Sequence, residues 1–140
     1  MFAELTGTAT FNLLRKGLDV AAKRHNVIAN NIANVNTPLF KRQIVSFEDE
    51  MAKVFDNKVD IVGRREDERH ISIGETNYMN VSPMTITDKS HIMRNDKNNV
   101  DIDVEMSDLA KNTMTYQIHS TRLSAMFSSL NDVITRGGRA

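Results

Sequence analysis

A mainly α fold is predicted: two long terminal helices form an antiparallel coiled-coil-like layer, with a small irregular or β-containing segment between them. Three observations predict it. Apolar residues recur at alternating spacings of three and four near both ends of the 140-residue chain, and the middle loses that period. The core material is thin, with 40% hydrophobic residues, 6% aromatics and no Trp, which favours long two-helix contacts over a thick globular core. The expected division is 1–40 for the first helix and the turn after it, 41–100 for the middle, and 101–140 for the last helix.

In the first element, Phe11, Leu14, Leu18, Ala21, His25, Ile28, Ile32 and Val35 follow spacings of 3, 4, 3, 4, 3, 4 and 3, an unbroken a/d heptad seam. A helix from Thr10 to Val35 would be about 39 Å long. Pro38 is expected to end it, because Pro forces the residue before it out of the helical region. Leu13, Val20 and Val27 form a second apolar row off the seam.

The middle changes character. Ile71-Ser-Ile73 and Met84-Thr-Ile86 alternate as short strands do, and Phe47 to Phe55 reads as a short amphipathic helix. Nine of the fourteen residues from Asp56 to Arg69 are charged, which predicts weak order.

The last element repeats the first. Met106, Leu109, Thr113, Tyr116, Ser120, Leu123, Phe127, Leu130 and Ile134 alternate 3 and 4, with Met126 and Val133 as an extra row. Asp101 or Asp103 can cap its start, Glu105 and Asp108 suit the positive end of its dipole, and Gly137-Gly138 reads as its stop. Pairing the two helices would bury one stripe of each and leave the other rows in need of further protein.

Equal numbers of basic and acidic residues, 18 of each, give no net charge, which excludes the basic footprint of a nucleic-acid binder. The charge is unevenly placed: residues 1–45 carry six Lys/Arg against two Asp/Glu, and the remainder is acidic. There are no cysteines, and so neither disulfides nor thiolate metal sites. Neither a secretory signal peptide nor an apolar run of the ~20 residues that span a bilayer is seen.

Chemistry-bearing patterns are weak. His25, His70, His91 and His119 have no ligand-spaced partners, so no metal and no cofactor is expected. His25 lies in the first seam, where a hydrogen-bonded, register-setting role is expected. Glu48-Asp-Glu50 and Glu66-Asp-Glu68 read as solvated faces, and no nucleophile elbow or phosphate loop exists. No catalytic residue and no small-molecule substrate is therefore expected. Arg15, Lys16, Lys23 and Arg24 lie away from the seam and keep open a membrane-surface amphipathic helix. A soluble coiled-coil adaptor or regulator is a further alternative.

The run from His25 to Arg42, His-Asn-Val-Ile-Ala-Asn-Asn-Ile-Ala-Asn-Val-Asn-Thr-Pro-Leu-Phe-Lys-Arg, resembles the N-terminal signature of bacterial flagellar rod, hook and hook-associated proteins. Twelve of the thirteen positions from Ala29 to Lys41 match its usual form or fall where it is free. The run Asn98-Asn-Val-Asp-Ile-Asp-Val-Glu-Met106, with Leu109-Ala-Lys-Asn112 and Tyr116, resembles the basal-body rod members. Leu39 departs from the family's usual Gly, and the turn is expected to place it in an extended or right-handed helical conformation. The resemblance implies a structural subunit of the proximal rod, in the periplasm, exported by the flagellar type III apparatus without signal cleavage. It implies partners among copies of itself, other rod proteins and components at the rod base around the MS ring and export gate.

The expected assembly contacts are Leu14, Leu18, Ile28, Asn30, Asn31, Ile32, Asn34, Leu109, Tyr116, Leu123 and Leu130. Asn is a mediocre helix former, and the Asn26, Asn30, Asn34 ladder is expected to bond to neighbouring subunits. Asn36, Thr37, Pro38, Phe40 and Lys41 are expected to shape the turn out of the first helix.

Overall fold

A computed structural model describes residues 8–56, 78–89 and 96–137, in the order α1 (Ala9–Ala33), β1 (Gln43–Ser46), α2 (Glu48–Asp56), a short 3₁₀ turn (Tyr78–Asn80), β2 (Met84–Thr87) and α3 (Ile102–Gly137). The strand expected around Ile71 to Ile73, the weakly ordered stretch beyond Asp56, His70 and His91 lie outside the described residues. The chain divides into two compact units, 1–45 with 85–140 and 46–84.

The larger unit is a helical hairpin. Thr8 caps α1 by accepting the Phe11 N–H at 3.4 Å. Asp101 caps α3, its carboxylate accepting the Asp103 N–H at 2.9 Å and its carbonyl the Glu105 N–H. The helices run antiparallel, since Phe11 meets Phe127, Gly17 meets His119, Ala21 meets Asn112 and Asn31 meets Glu105. At 36 residues, α3 is about 54 Å long and outreaches α1.

The fold class is the one expected, but the stripe inside the hairpin is not quite the one the apolar pattern suggests. One row of each seam shifts by one position. Gly17 and Asn31 face α3 where Leu18 and Ile32 were read, and Glu105, Asn112 and His119 face α1 where Met106, Thr113 and Ser120 were read. His25 is exposed, which corrects its reading as a register-setting seam residue; Asn31, Glu105 and Asn112 hold those inner places. The reason is geometric. One residue along a helix is about 100° round it, and in an antiparallel pair that step turns both helices toward the same side.

At the end of α1 the backbone tightens. The Asn34 N–H is shared between the Asn30 and Asn31 carbonyls, and Val35 and Thr37 donate to Ile32 and Asn34. The helix therefore stops at Ala33, five residues before the expected terminator at Pro38. Thr37 then accepts the Phe40 N–H at 3.3 Å around Pro38 and Leu39, and Leu39 takes φ 66°. This corrects the expected extended or right-handed conformation. Pro at the second place of a type II turn demands a positive φ at the third, and the Leu39 N–H is also held by the Asp96 carbonyl at 3.0 Å.

β1 and β2 make a two-stranded sheet, and the Asp88 N–H donates to the Arg42 carbonyl at 2.8 Å, placing the end of β2 beside the start of β1. In the smaller unit α2 is amphipathic. Met51 is buried and Val54 half-buried, while Glu48, Asp49 and Glu50 sit at the N-terminal, positive end of its dipole and Lys53 pairs with Glu50 at 2.7 Å.

Two stability predictions follow from the hairpin and its turn. Leu39 is exposed, so Leu39→Gly sheds little burial while relieving a left-handed residue; it should raise urea-unfolding stability by about 0.5–1 kcal/mol. A drop would show that the turn is not strained. A methyl added at Gly17 would lie 2.9 Å from His119 Nε2. The roughly 1 kcal/mol that Gly→Ala normally adds in a helix should thus be absent for Gly17→Ala alone and return when His119 is also Ala. Equal effects in both backgrounds would dismiss the contact.

Candidate functional site

Two features of the larger unit set its chemistry: a polar lock where both signature segments meet, and an open face beside it. The lock is centred on Glu105, whose side chain is 0% exposed. Its Oε1 accepts Arg42 Nε at 2.5 Å and its Oε2 accepts Asn31 Nδ2 at 3.2 Å. Asn31 Nδ2 also donates to the Gln43 carbonyl at 2.7 Å, and Asn31 Oδ1 accepts the Gln43 N–H at 2.9 Å. That reciprocal pair makes the amide a substitute strand neighbour for β1.

Arg42 carries the network outward to Asp108 at 2.9 Å and Asp88 at 3.8 Å. Burial opposes its charge, but the hydrogen bond to Glu105 and the charges of Glu105, Asp108 and Asp88 outweigh burial and raise the guanidinium above its ordinary value. Its backbone N–H donates to Asn99 Oδ1 at 2.7 Å, and Asn99 Nδ2 donates to the Asp88 carbonyl.

Asn98, also fully buried, ties the turn. Its Nδ2 donates to the carbonyls of Asn34, Val35 and Thr37 at 2.9, 3.1 and 2.9 Å, and its Oδ1 accepts the Val100 N–H. Carbonyls orphaned at the end of α1 thus find their donor 64 residues away. Lys41 adds a bond to the Lys97 carbonyl. Asn34 turns back on its own helix, donating to Asn30 and accepting from Thr37 Oγ1.

The open face comes from the shifted rows. The Phe11 and Phe127 rings meet edge to face, centroids 5.9 Å apart, which puts the row of Phe11, Leu18, His25 and Ile32 beside the row of Met106, Thr113, Ser120, Phe127 and Ile134 on one side of the hairpin. Met106, Phe127 and Ile134 are each about half exposed on it, at 51%, 50% and 45%. Of the expected contact residues, Ile28 and Asn31 are buried in the hairpin. Leu14, Leu18, Ile32, Leu109, Leu123 and Leu130 are half-buried; Asn30 and Tyr116 are exposed. In the turn, Asn36, Thr37 and Pro38 are exposed, while Phe40 and Lys41 are half-buried.

Sequence reading missed Arg42, Asn98, Asn99, Glu105 and Asn112 as a set. The available signal was four polar residues, Asn31, Glu105, Asn112 and His119, at positions one residue before seam residues. Among the described residues no group of three His, Asp or Glu side chains is placed to hold a metal ion, and no helix is long and apolar enough to cross a membrane.

The geometry defines a helical hairpin knitted at one end by a polar lock and left open along one face. Residues 11–41 match the family model for flagella basal body rod proteins. The chain is 39% identical to the flagellar basal body rod protein FlgB of Borrelia hermsii over 88% of this chain and 93% of the relative, and 38% identical to that of Borreliella burgdorferi over 84% and 89%. To FlgB of Bacillus subtilis it is 34% identical over 93% and 96%. The chain belongs to the FlgB family of flagellar basal body rod proteins, which are structural subunits of the rod.

One prediction isolates the lock. Arg42→Met strands a buried carboxylate and should cost about 3 kcal/mol in urea unfolding. Adding Glu105→Gln, which removes the charge but keeps an acceptor for Asn31, should restore at least about 1 kcal/mol. A double variant no more stable than the single one would mean Glu105 is not held as a charged partner.

Proposed function

We propose that the chain polymerises into the proximal rod through the open face of its hairpin, packing against copies of itself and against other rod subunits. Terminal segments 1–40 and 101–140 supply the assembly core, and 41–100 form an appended middle. Components at the rod base, the MS ring and export gate, are its neighbours below. The subunit works in the periplasm and reaches it by type III export without losing a signal peptide. Its role is mechanical, with no catalytic step.

The observation that carries this reading is the pair of half-exposed apolar rows lying side by side. A lone hairpin leaves Met106, Phe127 and Ile134 about half exposed on one side, and large apolar side chains gathered on one face of a fold mark sites of protein contact. Half-buried Leu18 and Ile32 belong to those rows, Leu14, Leu109, Leu123 and Leu130 lie half-buried on the same two helices, and Asn30 and Tyr116 are exposed.

Met106→Asp with Ile134→Asp tests the face. Both side chains are about half exposed, so the purified variant should keep its helical circular dichroism, while cells carrying it should be non-motile and yield basal bodies without rods in electron micrographs. Normal rods assembled from the double variant would overturn the proposal.

A further inference from the structure

The floor of a groove between the helices holds an acceptor that the chain does not satisfy. Asn112 is 4% exposed and donates Nδ2 to the Ala21 carbonyl at 2.8 Å; among the described residues its Oδ1 is the one buried side-chain nitrogen or oxygen without a partner. A buried acceptor left unpaired costs about 1–3 kcal/mol. The amide cannot simply turn over, because that would set Oδ1 against the Ala21 carbonyl oxygen. Above it lies a groove of about 350 Å³ lined by Ala21, Ala22, His25, Asn26, Asn112, Thr113 and Tyr116.

We propose that this groove is a polar keyhole: a helix of a neighbouring rod subunit docks over it and inserts an uncharged hydrogen-bond donor, the amide or hydroxyl of an Asn, Gln, Ser or Thr side chain, that pairs with Asn112 Oδ1. The inference rests on the rod-subunit reading and deepens it by naming the chemistry of one contact. Three observations select this occupant. The orphaned oxygen calls for a donor. No Asp or Glu lines the groove, so a buried Lys or Arg would go unpaired there, whereas a neutral amide or hydroxyl carries no such desolvation cost. Ala21 and Ala22 line one wall of the groove, and small residues let a helix backbone approach closely. The groove also continues into the exposed apolar row through Thr113. His25 and Tyr116, both exposed, line it as well. A single polar contact set in an oily stripe fixes register, since slipping by one residue leaves both groups unpaired.

The test uses the full-length chain. Asn112→Leu keeps the branched shape of the side chain and removes the orphan together with the bond to the Ala21 carbonyl, so the purified monomer should keep its helical circular dichroism, while basal bodies with complete rods should fall at least tenfold. The absence of native cysteines gives a second measurement that does not depend on that variant's folding. Thr113→Cys should react with N-ethylmaleimide at least tenfold more slowly in isolated basal bodies than in the purified chain, and a benzophenone attached there should crosslink to a rod protein. Normal rod numbers from a stable Asn112→Leu variant overturn the keyhole. So does equal labelling in both states, or crosslinking to lipid alone. In each of those cases the chain is still recovered in the rod, so the rod reading stands; its absence from purified basal bodies would instead remove that reading.

Discussion

Everything in the larger unit depends on one buried carboxylate. Glu105 is withdrawn from water on the first turns of α3, and an isolated charge there would be prohibitive. It is tolerated because three groups converge on it or its partner: the Asn31 amide from α1, the Arg42 guanidinium from the chain leaving the turn, and Asp108 one helical turn on, which shares the guanidinium. Removing any of them leaves another charge or amide stranded. The geometry of the helix exit, the strand start and the second helix is consequently fixed as one unit rather than as separate contacts.

That arrangement explains why the turn can hold a left-handed Leu39. Asn98 gathers three carbonyls of the α1 exit onto one amide, and the Leu39 N–H is bonded to Asp96. Strain of this kind persists only where its surroundings over-determine it. The signature run of asparagines thereby divides by function. Asn31 and Asn34 satisfy the chain's own backbone and side chains, whereas Asn26 and Asn30 stay on the surface.

How much of this the sequence disclosed follows from what periodicity can encode. Heptad spacing gave both helices, their lengths to within a few residues and their pairing, because an amphipathic stripe is a property of one segment. The exact inner rows were not legible, since Glu105, Asn112 and Asn31 look unfit for a seam until their partners 74 or 91 residues away are known, and Gly17 until His119 is seen against it. Leu39 failed for a related reason: side-chain propensity disfavours a positive φ, and the local turn bond from Phe40 to Thr37 together with the long-range bond from the Leu39 N–H to the Asp96 carbonyl overrides it. The short helix α2 and the strand at Met84 were readable because their signals are local.

The rotation between the seams as read and the stripe as packed has its own logic. If the best apolar rows faced inward, a hairpin of two such helices would bury them within one molecule and leave a charged exterior. Here the shifted inner row is small or polar, closing through Gly17 and hydrogen-bonded Asn and Glu beside buried Ala21 and Ile28, while Phe127, Met106 and Ile134 remain outside. Specificity within the subunit comes from the polar lock, which tolerates no slip, while the non-directional hydrophobic drive inside the hairpin rests on a few side chains such as Ala21 and Ile28. A chain built this way fixes its hairpin by polar matching around Glu105 and leaves Met106, Phe127 and Ile134 half exposed along one side of it.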